Sequence, residues 1–139
     1  MIELDNRTDI SVDITLLERI ASSLSDKDIE LVLTDDLEMA EINEETRHIA
    51  KSTDVLSFPM MEMPGAPLGS IVISEGFVKH GSESFGHSLD DERALLFIHG
   101  MLHILGFDHE VDNGEMRQKE HEVLEAFSLP ESLIIRTTK

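Results

Sequence analysis

The period of the hydrophobic positions changes several times along the chain, and each change marks an element. Residues 1–10 alternate weakly, which fits an edge strand or a loose segment. Over 13–24, Ile14, Leu17, Ala21 and Leu24, joined by Leu16 and Ile20, recur at the spacing of one helix face and predict a packing helix. The run 29–34, IELVLT, is short and rich in β-branched residues and leucine, so a strand entering the core is expected. Thr34 or Asp35 then caps a helix through Asn43, with Leu37, Ala40 and Ile42 turned inward and acids in its first turn. Arg47 follows in a polar connector, near a second strand over 54–58 that Pro59 stops.

The segment 60–67, MMEMPGAP, carries two more prolines and a glycine and reads as a mobile loop, its methionines either an adaptable surface or ordinary loop packing. In the strand 69–74, Ile71 and Ile73 share one face and Val72 takes the other, an apolar run that predicts cover on both sides. Residues 75–85 have a helical pattern weakened by Gly76 and Gly81. Ser88 caps the next helix, with Asp91 three residues on and Asp90 and Glu92 at the positive end of its dipole. Asp112 and Glu115 start a last helix with Met116, Val123, Leu124 and Phe127 as its apolar stripe. Pro130 ends it, and 132–138 form a small strand or a free tail.

Helices around two or three strands, followed by more helices, predict a compact α+β layer arrangement with a small sheet. No repeat, low-complexity tract or linker divides the 139 residues, so a single domain over 1–139 is expected. The chain has no cysteine, which excludes disulfides and thiolate metal sites. Its opening, MIELDNRTD, lacks the basic and apolar regions of a signal peptide. The longest apolar run, 94–107, is too short to span a bilayer and contains two histidines. A soluble cytoplasmic protein with no membrane contact is expected. Eleven Lys and Arg against 29 Asp and Glu give a formal net charge of −18. Nucleic acid is bound largely by neutralising phosphates, so this chain is a poor general RNA clamp. An RNA substrate would require a local basic patch, a metal ion or a basic partner.

The sharpest chemistry lies in 99–109, HGMLHILGFDH. On a helix, His99 and His103 stand on one face about 6 Å apart along the axis and can bite one ion. Gly106 then takes the left-handed conformation that reverses the chain and carries His109 back over the same face. Apolar residues surround these histidines on every side, as in a helix buried in a core. Buried imidazoles left without partners cost about 1–3 kcal/mol each. Core histidines bonded to backbone carbonyls would answer that cost, and so would a shared cation. Three imidazoles and an open fourth position describe a catalytic zinc site, one Zn²⁺ held by His99, His103, His109 and a water. Nickel or copper would bind the same set. The spacing HxxxHxxGxxH is also that of metzincin proteases, but the glutamate that serves them as general base is here Gly100.

HGMLHILGFDH resembles the HGxLHLxGyDH signature of the YbeY family, bacterial metal-dependent endoribonucleases of ribosomal RNA maturation, with Phe107 in place of the usual tyrosine. Arg47 and 53–59, TDVLSFP, resemble the family's Arg-x(5)-TDVLSFP. The stretch 68–74, LGSIVIS, is similar to LGDIxIS but has Ser70 where an aspartate is usual. Order and spacing hold from Ile29 to Phe127. The resemblance implies a mixed sheet with the metal helix packed on it, zincin-like in outline. It also implies a single-strand-selective endoribonuclease acting in 16S rRNA 3′-end maturation and ribosome quality control. The partners it implies are ribosomal RNA, a basic small-subunit ribosomal protein and a ribosome-associated GTPase.

A metal at the histidines would lower the pKa of bound water towards about 7 and polarise a phosphoryl oxygen. His99 and Arg47 are the candidate catalytic residues. The planar fork of Arg47 can clamp a phosphate, against the alternative of a surface ion pair with Glu44 or Glu45. Asp108 is placed to bond a ligand imidazole or to act as a base. Ser57 is expected to line the cleft, with no neighbouring base to make it a nucleophile. His48, His80, His87 and His121 read as surface residues. Two other classes compete: a ribosome assembly adaptor whose metal is structural, and a peptidase or other small hydrolase.

Overall fold

A computed structural model describes residues 1–48, 54–60, 65–107 and 114–129. The elements run β1 (Ile2–Asn6), α1 (Thr15–Leu24), β2 (Ile29–Thr34), α2 (Asp36–Arg47), β3 (Val55–Pro59), β4 (Gly69–Ser74), α3 (Glu75–Phe85), α4 (Leu89–Ile104) and α5 (Glu115–Ala126). The strands lie in the order β1-β2-β4-β3. β1, β2 and β4 are parallel, with Leu4 opposite Leu31 and Leu31 opposite Ile71. β3 closes one edge antiparallel to β4, with Ser57 opposite Ile71 and Pro59 opposite Gly69. The fold is therefore α+β, a four-stranded mixed sheet with five helices among the described residues.

Side-chain alternation divides the sheet into two faces. Leu31, Leu33, Ile71 and Ile73 join the main core, which takes Leu17, Ile20 and Ala21 of α1, Val78 of α3, Met116, Val123 and Leu124 of α5, and most of α4. Val32, Leu56 and Val72 face the other way and are covered by Met39 and Ile42 of α2. α4 lies inside the molecule, with Ala94–Ile98, Met101 and Leu102 all buried, because its apolar residues run all round it. Such a helix finds no solvent face to prefer. The weak alternation at the start becomes a parallel edge strand, Ile2 buried against α1 and paired with Ile29.

Local signals set both ends of α2 and of α4. Asp35 accepts the Glu38 amide at 2.8 Å and Ser88 the Asp91 amide at 3.0 Å, so both act as N-caps. At the end of α4, Gly106 has φ +104°. The Gly106 amide donates to the His103 carbonyl and the Phe107 amide to that of Leu102, the paired bonds of a Schellman reversal.

Three expectations need correction. α2 runs on to Arg47 rather than ending at Asn43: Glu44, Glu45 and Thr46 are polar but helix-compatible, and His48 in the left-handed region ends the helix. Leu37 points outward at 81 % relative exposure, because Met39 and Asn43 occupy the inward positions of that helix. His87 is not a surface residue. Its side chain is 2 % exposed and bonds buried Glu92 at 2.6 Å, after Gly86 at φ +72° turns the chain onto α4. Glu92 stands in the first turn of α4, as expected, and is buried there. His48 and His80 are exposed and His121 is half-buried.

α3 is tied to α4 by a buried ion pair. Arg93 donates to both oxygens of Glu75, at 2.9 and 2.5 Å, and to Asp90 at 2.8 Å. Burial pulls the Arg93 guanidinium down, but its bonds to Glu75 and Asp90 and their charges outweigh this and hold it above its ordinary value. The segments 61–64 and 132–138, with Asp112 and Pro130, lie outside the described residues.

Candidate active site and metal centre

The last turns of α4 pass under the edge strand β3, and between them opens a cleft of about 390 Å³. It is lined by Arg47, Asp54, the β3 residues Val55 to Phe58, His99, Gly100 and His103. Three elements deliver these side chains. α2 crosses the far face of the sheet and ends at Arg47, the inward alternation of β3 brings Ser57 towards α4, and α4 supplies the histidines one turn apart. Arg47 is exposed and forms no ion pair with Glu44 or Glu45 among the described residues, so its fork stands available at the cleft wall.

His99 and His103 meet as their spacing requires. Their Nε2 atoms are 3.2 Å apart and the rings sit edge-on, with centroids 4.7 Å apart. Two nitrogens bound at about 2.0–2.1 Å to a tetrahedral ion stand about 3.3 Å apart, so the pair fits a shared cation with little rearrangement. A further residue prepares it. Buried Glu120 of α5 lies with Oε1 2.8 Å from His99 Nδ1. An ionised carboxylate only accepts, so the ring hydrogen belongs on Nδ1 and the Nε2 lone pair faces the cleft. Glu120 thus makes, towards His99, the kind of bond that was one of the two expectations for Asp108.

The third expected ligand, His109, and Asp108 lie outside the described residues. Among the described residues no three of His, Cys, Asp and Glu come together as a metal set. The donor chemistry of the pair nevertheless suits a divalent ion: two neutral imidazoles on one helix face, one oriented by a carboxylate, beside an open cleft.

Gly100, at the position where a metzincin carries its glutamate, sits against the sheet. A Cβ built there would lie 3.1 Å from Ile71 Cγ2 and 3.3 Å from two other Ile71 atoms. α4 thus packs close to β4 at this position, and any side chain placed there would require Ile71 to give by a few tenths of an ångström.

The model of the family described as endoribonuclease YbeY matches residues 4–128. The chain belongs to the YbeY endoribonuclease family. Relatives bearing that name include the proteins of Nautilia profundicola, 60 % identical over 98 % of both chains, and Sulfurimonas denitrificans, 58 % identical over 99 % of both. The Helicobacter pylori relative is 54 % identical over 99 % of this chain and 98 % of its own. Among solved structures, a Thermotoga maritima protein determined in solution is similar at a TM-score of 0.68 and 27 % identity, covering 91 % of this chain and 89 % of that one. The three sequence blocks shared with YbeY come together in the fold: Asp54 to Phe58 and the histidine helix line the cleft, and β4, within LGSIVIS, pairs with β3. At the family's departure, Ser70 donates to Glu30 Oε1 at 2.9 Å, so a carboxylate stands beside position 70 although the residue itself carries none. No described helix is long and apolar enough to cross a membrane.

Proposed function

We propose that this protein is a cytoplasmic, zinc-dependent, single-strand-selective endoribonuclease that acts on ribosomal RNA, in 16S rRNA 3′-end maturation and ribosome quality control. The observation that carries this reading is the convergence of Arg47 and the Nε2 pair of His99 and His103 on one cleft, in a chain of the YbeY family. His99, His103 and His109 would hold the ion. When bound, it supplies Lewis-acid polarisation of a phosphoryl oxygen and a more acidic water.

The chain's own residues do the rest. Arg47 pairs two phosphate oxygens and fixes the scissile group against β3. Glu120 keeps the His99 hydrogen on Nδ1. The cleft opens along the edge strand β3, where an unpaired strand can lie with its bases free. Partners in this reading are single-stranded ribosomal RNA, a basic small-subunit ribosomal protein and a ribosome-associated GTPase.

The test pairs metal analysis of untagged protein with cleavage of an RNA oligonucleotide, with and without chelator. Cleavage is expected to vanish with chelator and in His99→Ala, and to fall about 10²–10³-fold in Arg47→Ala. Wild type that cuts nothing, together with a His99→Ala protein that unfolds or loses a partner, would replace the enzyme with an assembly adaptor holding a structural metal.

A further inference from the structure

A second concavity lies away from the cleft, at the carboxyl ends of the parallel strands. This groove, about 780 Å³, is walled by the loop after β1 (Arg7 to Ile10), the start of α2 (Asp35 to Leu37), the outer face of α3 (Gly76, Lys79, Glu83) and Leu89. It shares no lining residue with the cleft. α2 connects the two: Asp36 and Arg47 are eleven residues apart on one helix, about 16 Å along its axis.

The groove is apolar inside and acidic around. Ile10, Leu37 and Leu89 are exposed at 45, 81 and 44 %, and they are three of the seven large apolar side chains exposed among the described residues. Their gathering in one hollow marks a contact surface. Its charge says what kind. Asp9, Asp35, Asp36 and Glu83 face two cations, Arg7 and Lys79, while Glu75 of the same lining is buried and held by Arg93, and Arg7 already pairs with Asp5 at 2.9 Å and Glu38 at 3.3 Å. The positive end of the α2 dipole is taken by Asp35, Asp36 and Glu38, so an anionic ligand finds repulsion there. α3 meets the start of α2 here: a Cβ at Gly76 would run into the Asp36 carboxylate unless that side chain moved.

We propose that this groove seats a basic amphipathic helix of a partner protein. Leucine- or isoleucine-type anchors at helical spacing enter between Ile10, Leu37 and Leu89, and flanking lysines or arginines meet Asp9, Asp35 and Glu83. The attraction weakens with salt, as rim charges do. The inference is independent of the cleft's chemistry.

The experiment titrates the full chain with a leucine–lysine peptide of about 18 residues, about 27 Å long as a helix, and with its leucine–glutamate counterpart, reading methyl shifts by NMR and affinity by anisotropy. Saturable binding of the lysine peptide is expected, moving the methyls of Ile10, Leu37 and Leu89 but not those of Leu4 and Leu105. Leu37→Glu and Glu83→Lys, both solvent-facing changes, are expected to weaken it at least about tenfold, with unchanged thermal unfolding. Equal binding of the two peptides, equal binding by wild type and both variants, or shifts confined to the cleft overturn the proposal. So do groove shifts on adding an RNA oligonucleotide, or a dimer that Leu37→Glu dissolves, since each names a different occupant.

Discussion

Glu120 is the residue on which the state of His99 turns. Its carboxylate is 1 % exposed and its described bond runs to a ring that opens on the cleft. Replacing such an outer partner typically costs 10–100-fold in metal affinity. Glu120→Gln is therefore expected to weaken zinc binding by about that factor while the fold persists, because the amide fills the same space. Competition against a chromophoric chelator measures it, and unchanged affinity would reduce Glu120 to a packing residue. The signal was present in the sequence: Met116, Glu120, Val123 and Leu124 share one helical face, and an acid among core positions needs a partner. Sequence alone does not say which partner, since 21 residues separate it from His99. His87 escaped for a related reason, as its burial follows from the turn at Gly86 rather than from any periodicity.

At the scale of elements, the strands and caps were legible because their causes are local. β2 and β4 have the bounds their apolar runs indicate, and Asp35, Ser88 and Gly106 cap or reverse helices through bonds to atoms a few residues away. The reach of α2 was not legible, because its last turn carries no apolar residue to continue the stripe. Nor was the Arg93–Glu75 pair, which forms only when α3 and α4 pack. Removing one member of such a pair strands a buried charge at a cost of about 3–5 kcal/mol, whereas replacing both by apolar residues is often neutral. Arg93→Met is expected to lose about that much in denaturant unfolding, and Arg93→Met with Glu75→Leu to recover most of it. Folding raises the Arg93 pKa, so its contribution is complete below the unfolded value and fades only as pH rises through the higher folded one. The gap between wild type and Arg93→Met should accordingly be the same at about pH 7 and pH 10. A gap that closes across that interval would show the guanidinium losing its proton far too early.

For the whole molecule, charge is the dominant fact. A formal charge of −18 leaves Arg47 as the basic side chain lining the described cleft. Each phosphate neutralised on a single strand contributes about −0.7 to the slope of log affinity against log salt. Binding of naked RNA by a chelated, inactive protein is thus expected to show a slope of only about −0.7 to −1.4; a slope several times steeper would reveal a basic surface beyond these residues. The net charge could be read from composition, but its arrangement could not, since the acidic groove joins residues from four separate stretches of chain.

The two border strands carry a consequence for how copies meet one another. β1 alternates Glu3 and Asp5 along its length, and β3 ends in Pro59, which has no amide hydrogen to give. A neighbouring molecule trying to lengthen the sheet at β1 would lay carboxylate against carboxylate, and at β3 it would find a rung of the ladder missing. Strand-by-strand growth into fibrils is thereby discouraged at both ends, even at high protein concentration.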